Sequence, residues 1–165
     1  MRNINKAYRA RFSRDAKIIT REKIPARVSL IQIVVDLPDV FFKGANSVDN
    51  AYILRAMLDG LIEVNQAYLR RYHATPSLYE SGVIYGRTQQ WDSIPALYAR
   101  GFGDCKTLTA ADIAEERNKG VPTIPVFRLN YLSEGILFHI LVQRPNGWKD
   151  PSKILGMNKH ESAYI

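Results

Sequence analysis

The sequence predicts an α+β fold in which two helical segments in the middle of the chain are followed by two strands. Three observations point there. Residues 47–71 carry apolar side chains at helical spacing, residues 104–119 do so again, and 121–131 and 134–143 are two β-branched, aromatic segments in close succession. A chain of 165 residues is long enough for a real hydrophobic core, and 46% hydrophobic with 24% charged residues is an ordinary composition for a soluble globular protein.

The first 27 residues are set apart by charge. They hold nine basic residues (Arg2, Lys6, Arg9, Arg11, Arg14, Lys17, Arg21, Lys23 and Arg27) against Asp15 and Glu22, a surplus that equals the whole net charge of +7. With no clean apolar period and Pro25 near the end, residues 1–27 read as a basic N-terminal arm, and 28–165 as one domain. Clustered Lys and Arg release counterions on phosphate, so the arm is expected to meet nucleic acid or an acidic protein surface.

Residues 28–38, VSLIQIVVDLP, form an apolar, β-branched run stopped by Pro38 and are expected as a buried strand, with Asp36 and Asp39 as turn residues. Ser47 is placed to cap the long helix, with Asp49 in its first turn. Its expected core face is Ile53, Met57, Leu61, Val64 and Tyr68, flanked by Leu54, Leu58 and Ile62; Arg70 and Arg71 suit its C-terminal end. Residues 77–92 alternate aromatic and aliphatic side chains around Gly82 and Gly86 and are expected to be irregular and extended. A short helix over 93–100 then ends at Gly101.

The stretch GFGDCKTLTAADIAEERNKG, residues 101–120, holds the single cysteine. Asp104 is expected as the N-cap and Gly120 as the stop, with Leu108, Ala111 or Ile113, and Ala114 forming a close-packing face. A thiol at a helix N-terminus sits where unpaired N–H groups and the macrodipole favour the thiolate, which makes Cys105 a candidate nucleophile. One cysteine rules out an intramolecular disulfide, there is no Cys/His cluster of zinc spacing, and no metal or cofactor is expected. No apolar run approaches the roughly 20 residues of a membrane span, no secretory core opens the chain, and a reducing cytoplasm is expected.

Nucleophilic cysteine chemistry needs a base to hold and return the proton and a group to orient that base. His73 follows the long helix and His160 lies in a patternless tail, whereas His139 sits inside a strand, FHILV, and is the candidate base. Asp150 is the candidate orienter. A tight turn at Asn146-Gly147 would pair Pro145 with Trp148 and set Asp150 opposite Gln143, about 13 Å along the strand from His139. Contact between the two therefore requires a wider loop, a bulge, or residues 148–150 leaving the ladder, and that departure is expected.

The pattern WDSIPALYARGFGDCK, a strand with His139 34 residues after Cys105, and GWKDPS with Asp150 11 residues further on resembles the transglutaminase-like cysteine proteinases of bacteria and bacteriophages. The resemblance covers about residues 85–157. It implies a papain-like core, with the cysteine helix packed on an antiparallel sheet that carries His and Asp. It also implies a triad in which Cys105 attacks, His139 acts as base and then acid, and Asp150 holds the imidazole. The backbone N–H at the cysteine and a group among Gln89, Gln90 and Trp91 would hold the oxyanion. Lys106 and Thr107 stand where that family often has an acid shortly after the cysteine.

The expected activity is a cysteine-dependent amide hydrolase, peptidase-like, or an acyl transferase, acting through a thioester on a peptide bond or a Gln side chain of a protein. The alternative is a non-catalytic structural protein retaining the fold, such as a bacteriophage particle component docking through residues 1–27.

Overall fold

A computed structural model of the chain describes residues 18–24, 28–33, 47–132 and 135–157, with side chains for 51–130 and 138–157. Arg2, Lys6, Arg9, Arg11, Arg14, Lys17 and Arg27 of the basic arm, and the turn residues Asp36 and Asp39, lie outside the described residues. The described elements are helices and small sheets, an α+β arrangement. The chain divides after Asn46 into two compact units.

In the first unit, β1 (Ile18–Ile24) pairs antiparallel with β2 (Val28–Ile33), and the register shifts by one residue between Thr20 and Lys23, a bulge on β1. The boundary expected at residue 27 therefore falls inside a hairpin. Arg21 and Lys23, expected in an arm without regular structure, lie on a paired strand. Alternating Thr, Arg, Glu and Lys at 20–23 hid the strand from a search for apolar periodicity.

The second unit opens with α1 (Ser47–Arg71), a 25-residue helix that starts at Ser47 itself. Its buried residues are Leu58, Ile62, Asn65 and Gln66, the i, i+4, i+7, i+8 stripe of a helix packed on one side. The expected face was turned slightly too far: Val64 is 55% exposed. Two polar residues occupy the true seam because each has a partner. Asn65 Oδ1 accepts the Ile94 backbone N–H at 2.8 Å, and Gln66 exchanges hydrogen bonds with Asn118.

After α1 come β3 (Ile84–Tyr85), α2 (Ile94–Arg100), β4 (Phe102–Gly103) and α3 (Cys105–Asn118). β3 and β4 form a short parallel pair. Ser93 makes no side-chain cap on α2, so the Asn65 carboxamide satisfies that helix's first N–H from a neighbouring element. Gly101 closes α2 in the left-handed region, φ +79°, where a side chain is strained. Gly103 is buried so close to Leu97 that a Cβ would lie 2.7 Å from its Cδ1.

α3 is the central element. Every residue from Thr107 to Glu115 is buried, as expected of a helix covered all round. Ala110 and Ile113 enter one core cluster with Leu58, Ile62, Ile140 and Val142; Leu108 and Ala111 enter a second with Leu78, Val83, Ile94 and Leu97. At about 1.5–3 kcal/mol for each large aliphatic side chain taken from water, these clusters hold the helices against the sheet. That sheet is β5 (Ile124–Leu132), β6 (Gly135–Arg144) and β7 (Gly147–Lys149), antiparallel in that order, followed by α4 (Pro151–Ile154). One face, with Pro125, Ile140 and Val142, is buried. The other carries the exposed Ile124, Arg128, Gln143 and Trp148.

Candidate active site

Cys105 is the first residue of α3. Asp104 occupies the cap position with extended backbone, but its carboxylate makes no cap bond; it pairs instead with Lys106, whose ammonium also donates to the Thr88 carbonyl at 2.6 Å. Asp104 is thus the N-cap residue expected from the sequence, with its carboxylate paired to Lys106. Burial pushes the Asp104 carboxyl above its usual range, against the pull of Lys106.

The thiol rests against β6. Pairing of β6 to β7 stops at Val142↔Lys149. In an antiparallel ladder alternate residues face the same neighbour, so Ile140 presents its N–H and C=O on the β7 side with no strand to receive them. α3 receives the carbonyl: Thr109 Oγ1 donates to it at 3.1 Å, and Cys105 packs against the cluster that holds Ile140, whose amide pulls the thiol toward the thiolate. That N–H belongs to the peptide joining His139 to Ile140.

The thiol is not poised as a thiolate. Burial first, and the neighbouring Asp104 carboxylate second, push it up to about 11, outweighing the Ile140 amide and Lys106. The helix terminus therefore does not produce the depressed thiol expected from the sequence. Among the described residues no hydrogen bond joins the Cys105 sulfur to the His139 ring.

The structure does bring His139 and Asp150 together: Nε2 lies 2.9 Å from Oδ2, with both side chains largely buried. A carboxylate only accepts, so Nε2 carries the proton and Nδ1 is left as the basic nitrogen. The second carboxylate oxygen, Oδ1, accepts the Lys153 N–H at 3.1 Å and caps α4, with Pro151 at the first helical position. One carboxylate is thus fixed at both oxygens.

The contact arises by a different route from the expected one. β7 does not leave the ladder; its register differs by two residues. Arg144 pairs with Gly147, so Pro145 and Asn146 form the turn. The next position after Val142↔Lys149 sets Asp150 level with Leu141, diagonal to His139 on the same face, where side chains still meet. The overlooked signal was Pro145. In the Asn146-Gly147 register it would flank the turn without the N–H that position donates, whereas Pro-Asn-Gly suits a turn with Pro second and a positive-φ residue, Gly147 at +128°, fourth.

The segment 88–91 lies against the start of α3 through Thr88 O to Lys106 and Gln90 O to the Thr107 hydroxyl. The side chains of Gln89 and Gln90 are exposed and make no bond to the site, while Trp91 packs with Cys105 on the first core cluster. His73 is exposed at the end of α1, apart from this constellation, and His160 lies outside the described residues.

Sequence reasoning missed the polar group that ties α3 to β7. Lys149 pairs with the buried Asp112, approaches Glu116 at 3.6 Å and stands 4.3 Å over the Tyr79 ring, while Arg144 pairs with Glu116. Among the described residues no three His, Cys, Asp or Glu side chains converge as a metal site, and no helix is long and apolar enough to cross a membrane. No family model, no curated protein sequence and no solved structure matches the chain.

Proposed function

We propose that the protein is a cysteine-dependent amide hydrolase with a papain-like, transglutaminase-like core, in which Cys105, His139 and Asp150 form the triad. The observation that carries this reading is the contact of His139 Nε2 with Asp150 Oδ2 at 2.9 Å, on the strand whose next residue, Ile140, belongs to the core cluster that Cys105 packs against. A surface histidine needs no such carboxylate, and this one is fixed at both oxygens.

Because the thiol is protonated at neutral pH, attack and proton transfer go together. Sγ bonds to the carbonyl carbon as its proton passes to His139 Nδ1. The tetrahedral oxyanion collapses, the C–N bond breaks, and the imidazolium returns the proton to the leaving amine. Water, deprotonated by His139, then cleaves the thioester; the acid leaves and the thiol regains its proton. An amine in place of water gives acyl transfer. The Cys105 N–H, without a helical partner at the first position, and the Trp91 indole are the oxyanion donors.

The test is acylation. With p-nitrophenyl acetate the protein should release one equivalent of nitrophenol and gain an acetyl group on Cys105, found by peptide mass. His139→Ala should slow the step by about 10²–10⁴-fold, the worth of a positioned general base. Added hydroxylamine, captured as hydroxamate, reports transfer. A second reading, a structural protein that retains the site without turnover, draws on the raised thiol and the lack of a Cys105–His139 hydrogen bond. Acylation no faster than in His139→Ala would favour it.

A further inference from the structure

We propose that Arg128 anchors a carboxylate on the leaving-amine side of the substrate, which makes the preferred substrate a peptide bond whose amine fragment carries a carboxylate close to the scissile nitrogen. This rests on the triad reading above and adds the substrate's charge and its side.

Arg128 is the directly opposed partner of His139 on β5, so the two side chains stand on one face with Cβ atoms about 5.5 Å apart. That face is the open one, and Arg128 is exposed. Every other arginine whose side chain is described has a partner: Arg55 with Asp59, Arg70 with Asn118, Arg71 with the Tyr72 ring, Arg100 with Asp92, Arg117 with the Thr123 carbonyl, Arg144 with Glu116, and Arg87 as well. Among the described residues Arg128 has none, and the Asp150 carboxylate on the same face is committed to His139 and the α4 N-terminus. The guanidinium therefore keeps its planar fork of donors for a carboxylate from outside.

The side follows from the chemistry. His139 hands its proton to the departing nitrogen, so the leaving fragment must lie over the imidazole. Asp150 and the Cys105 contact mark the β7 side of β6, and Arg128 marks the β5 side. A fragment lying over His139 and away from Cys105 meets Arg128. Two sources supply the carboxylate, a free C-terminus or an acidic side chain.

The experiment needs no turnover. Cys105→Ala protein is titrated with N-acetyl-trialanine, with its C-terminal amide, and with that amide carrying one internal glutamate, following the Arg128 Nε–H and the His139 ring by NMR. One or both acids should bind about 10- to 100-fold more tightly than the neutral amide, the range of a charge-assisted hydrogen bond, and the acid that does so identifies the source. Arg128→Gln should erase the preference and leave the neutral peptide unchanged. Equal binding of acid and amide, a preference that survives Arg128→Gln, or no shift at Arg128 with either acid would overturn the inference. Failure of the triad reading looks different: Arg128-dependent binding persists while wild-type protein fails to acylate.

Discussion

At Cys105 two sets of forces act on one thiol. The first turn of α3, the Ile140 amide and Lys106 favour the thiolate; burial and the Asp104 carboxylate oppose it and win, with the thiol at about 11. Iodoacetamide should therefore alkylate Cys105 with a rate that climbs through pH 9 and levels only near 11. Asp104→Asn, which removes the second cause, should move that rise downward. A rise centred at or below the unperturbed 9.0 would show that burial does not govern the site. The same shift makes a stability statement. Between the unperturbed 9.0 and about 11 the folded chain holds a proton that the unfolded chain has released, so this contribution is intact below 9.0 and is lost as pH rises through that window. Asp150 shows the opposite use of a carboxylate: its oxygens are divided between the His139 ring and the Lys153 N–H. Asp150→Asn keeps the shape but offers an amide that either accepts from His139 or caps α4 less well, and acylation should fall as it does when a triad orienter is replaced.

β7 has three residues and α4 has four, too few to hold a position unaided. What fixes them is Lys149, which faces away from His139 into Asp112 and Glu116 of α3 and the Tyr79 ring. The cysteine helix is thereby tied to the strand that delivers Asp150. Asp112 is 1% exposed, so Lys149→Met leaves a carboxylate buried without its cation and should cost about 3–5 kcal/mol in urea unfolding. Asp112→Leu combined with Lys149→Met removes both charges and should recover most of that loss. If the single substitution changes stability by less than about 0.5 kcal/mol, an ordinary surface effect, the tie is not structural. The sequence disclosed α1, α2 and α3 because their periodicity and glycine stops are local, and it pointed to the His139–Asp150 pair because a histidine inside an apolar strand asks for a partner. It did not disclose the α1 seam, where Asn65 and Gln66 are buried for partners distant in the chain, nor Lys149 with Asp112, 37 residues apart. Both depend on tertiary pairing that no window of adjacent residues contains.

On the scale of the whole chain, charge and core are distributed differently. Among the described residues both core clusters draw on Leu58 to Leu155, all within the unit that begins at Ser47. The basic surplus lies ahead of it: residues 47–165 hold 13 basic against 12 acidic residues, and nearly all of the +7 belongs to residues 1–46. The two properties should therefore separate on cutting before Ser47. Residues 47–165 should unfold cooperatively by circular dichroism and keep the raised alkylation profile of Cys105. The whole chain should associate with double-stranded DNA with an affinity that falls steeply with salt, because each phosphate neutralised releases counterion, and the shortened chain should not. A shortened chain that folds yet binds DNA with the same salt slope would place the contact on the second unit. One that melts without cooperativity would show that its clusters need the first 46 residues. Binding to neither DNA nor an acidic protein surface by the intact chain would remove the arm's proposed role and leave the triad reading untouched, since His139, Asp150 and the Ile140 amide all lie after Ser47.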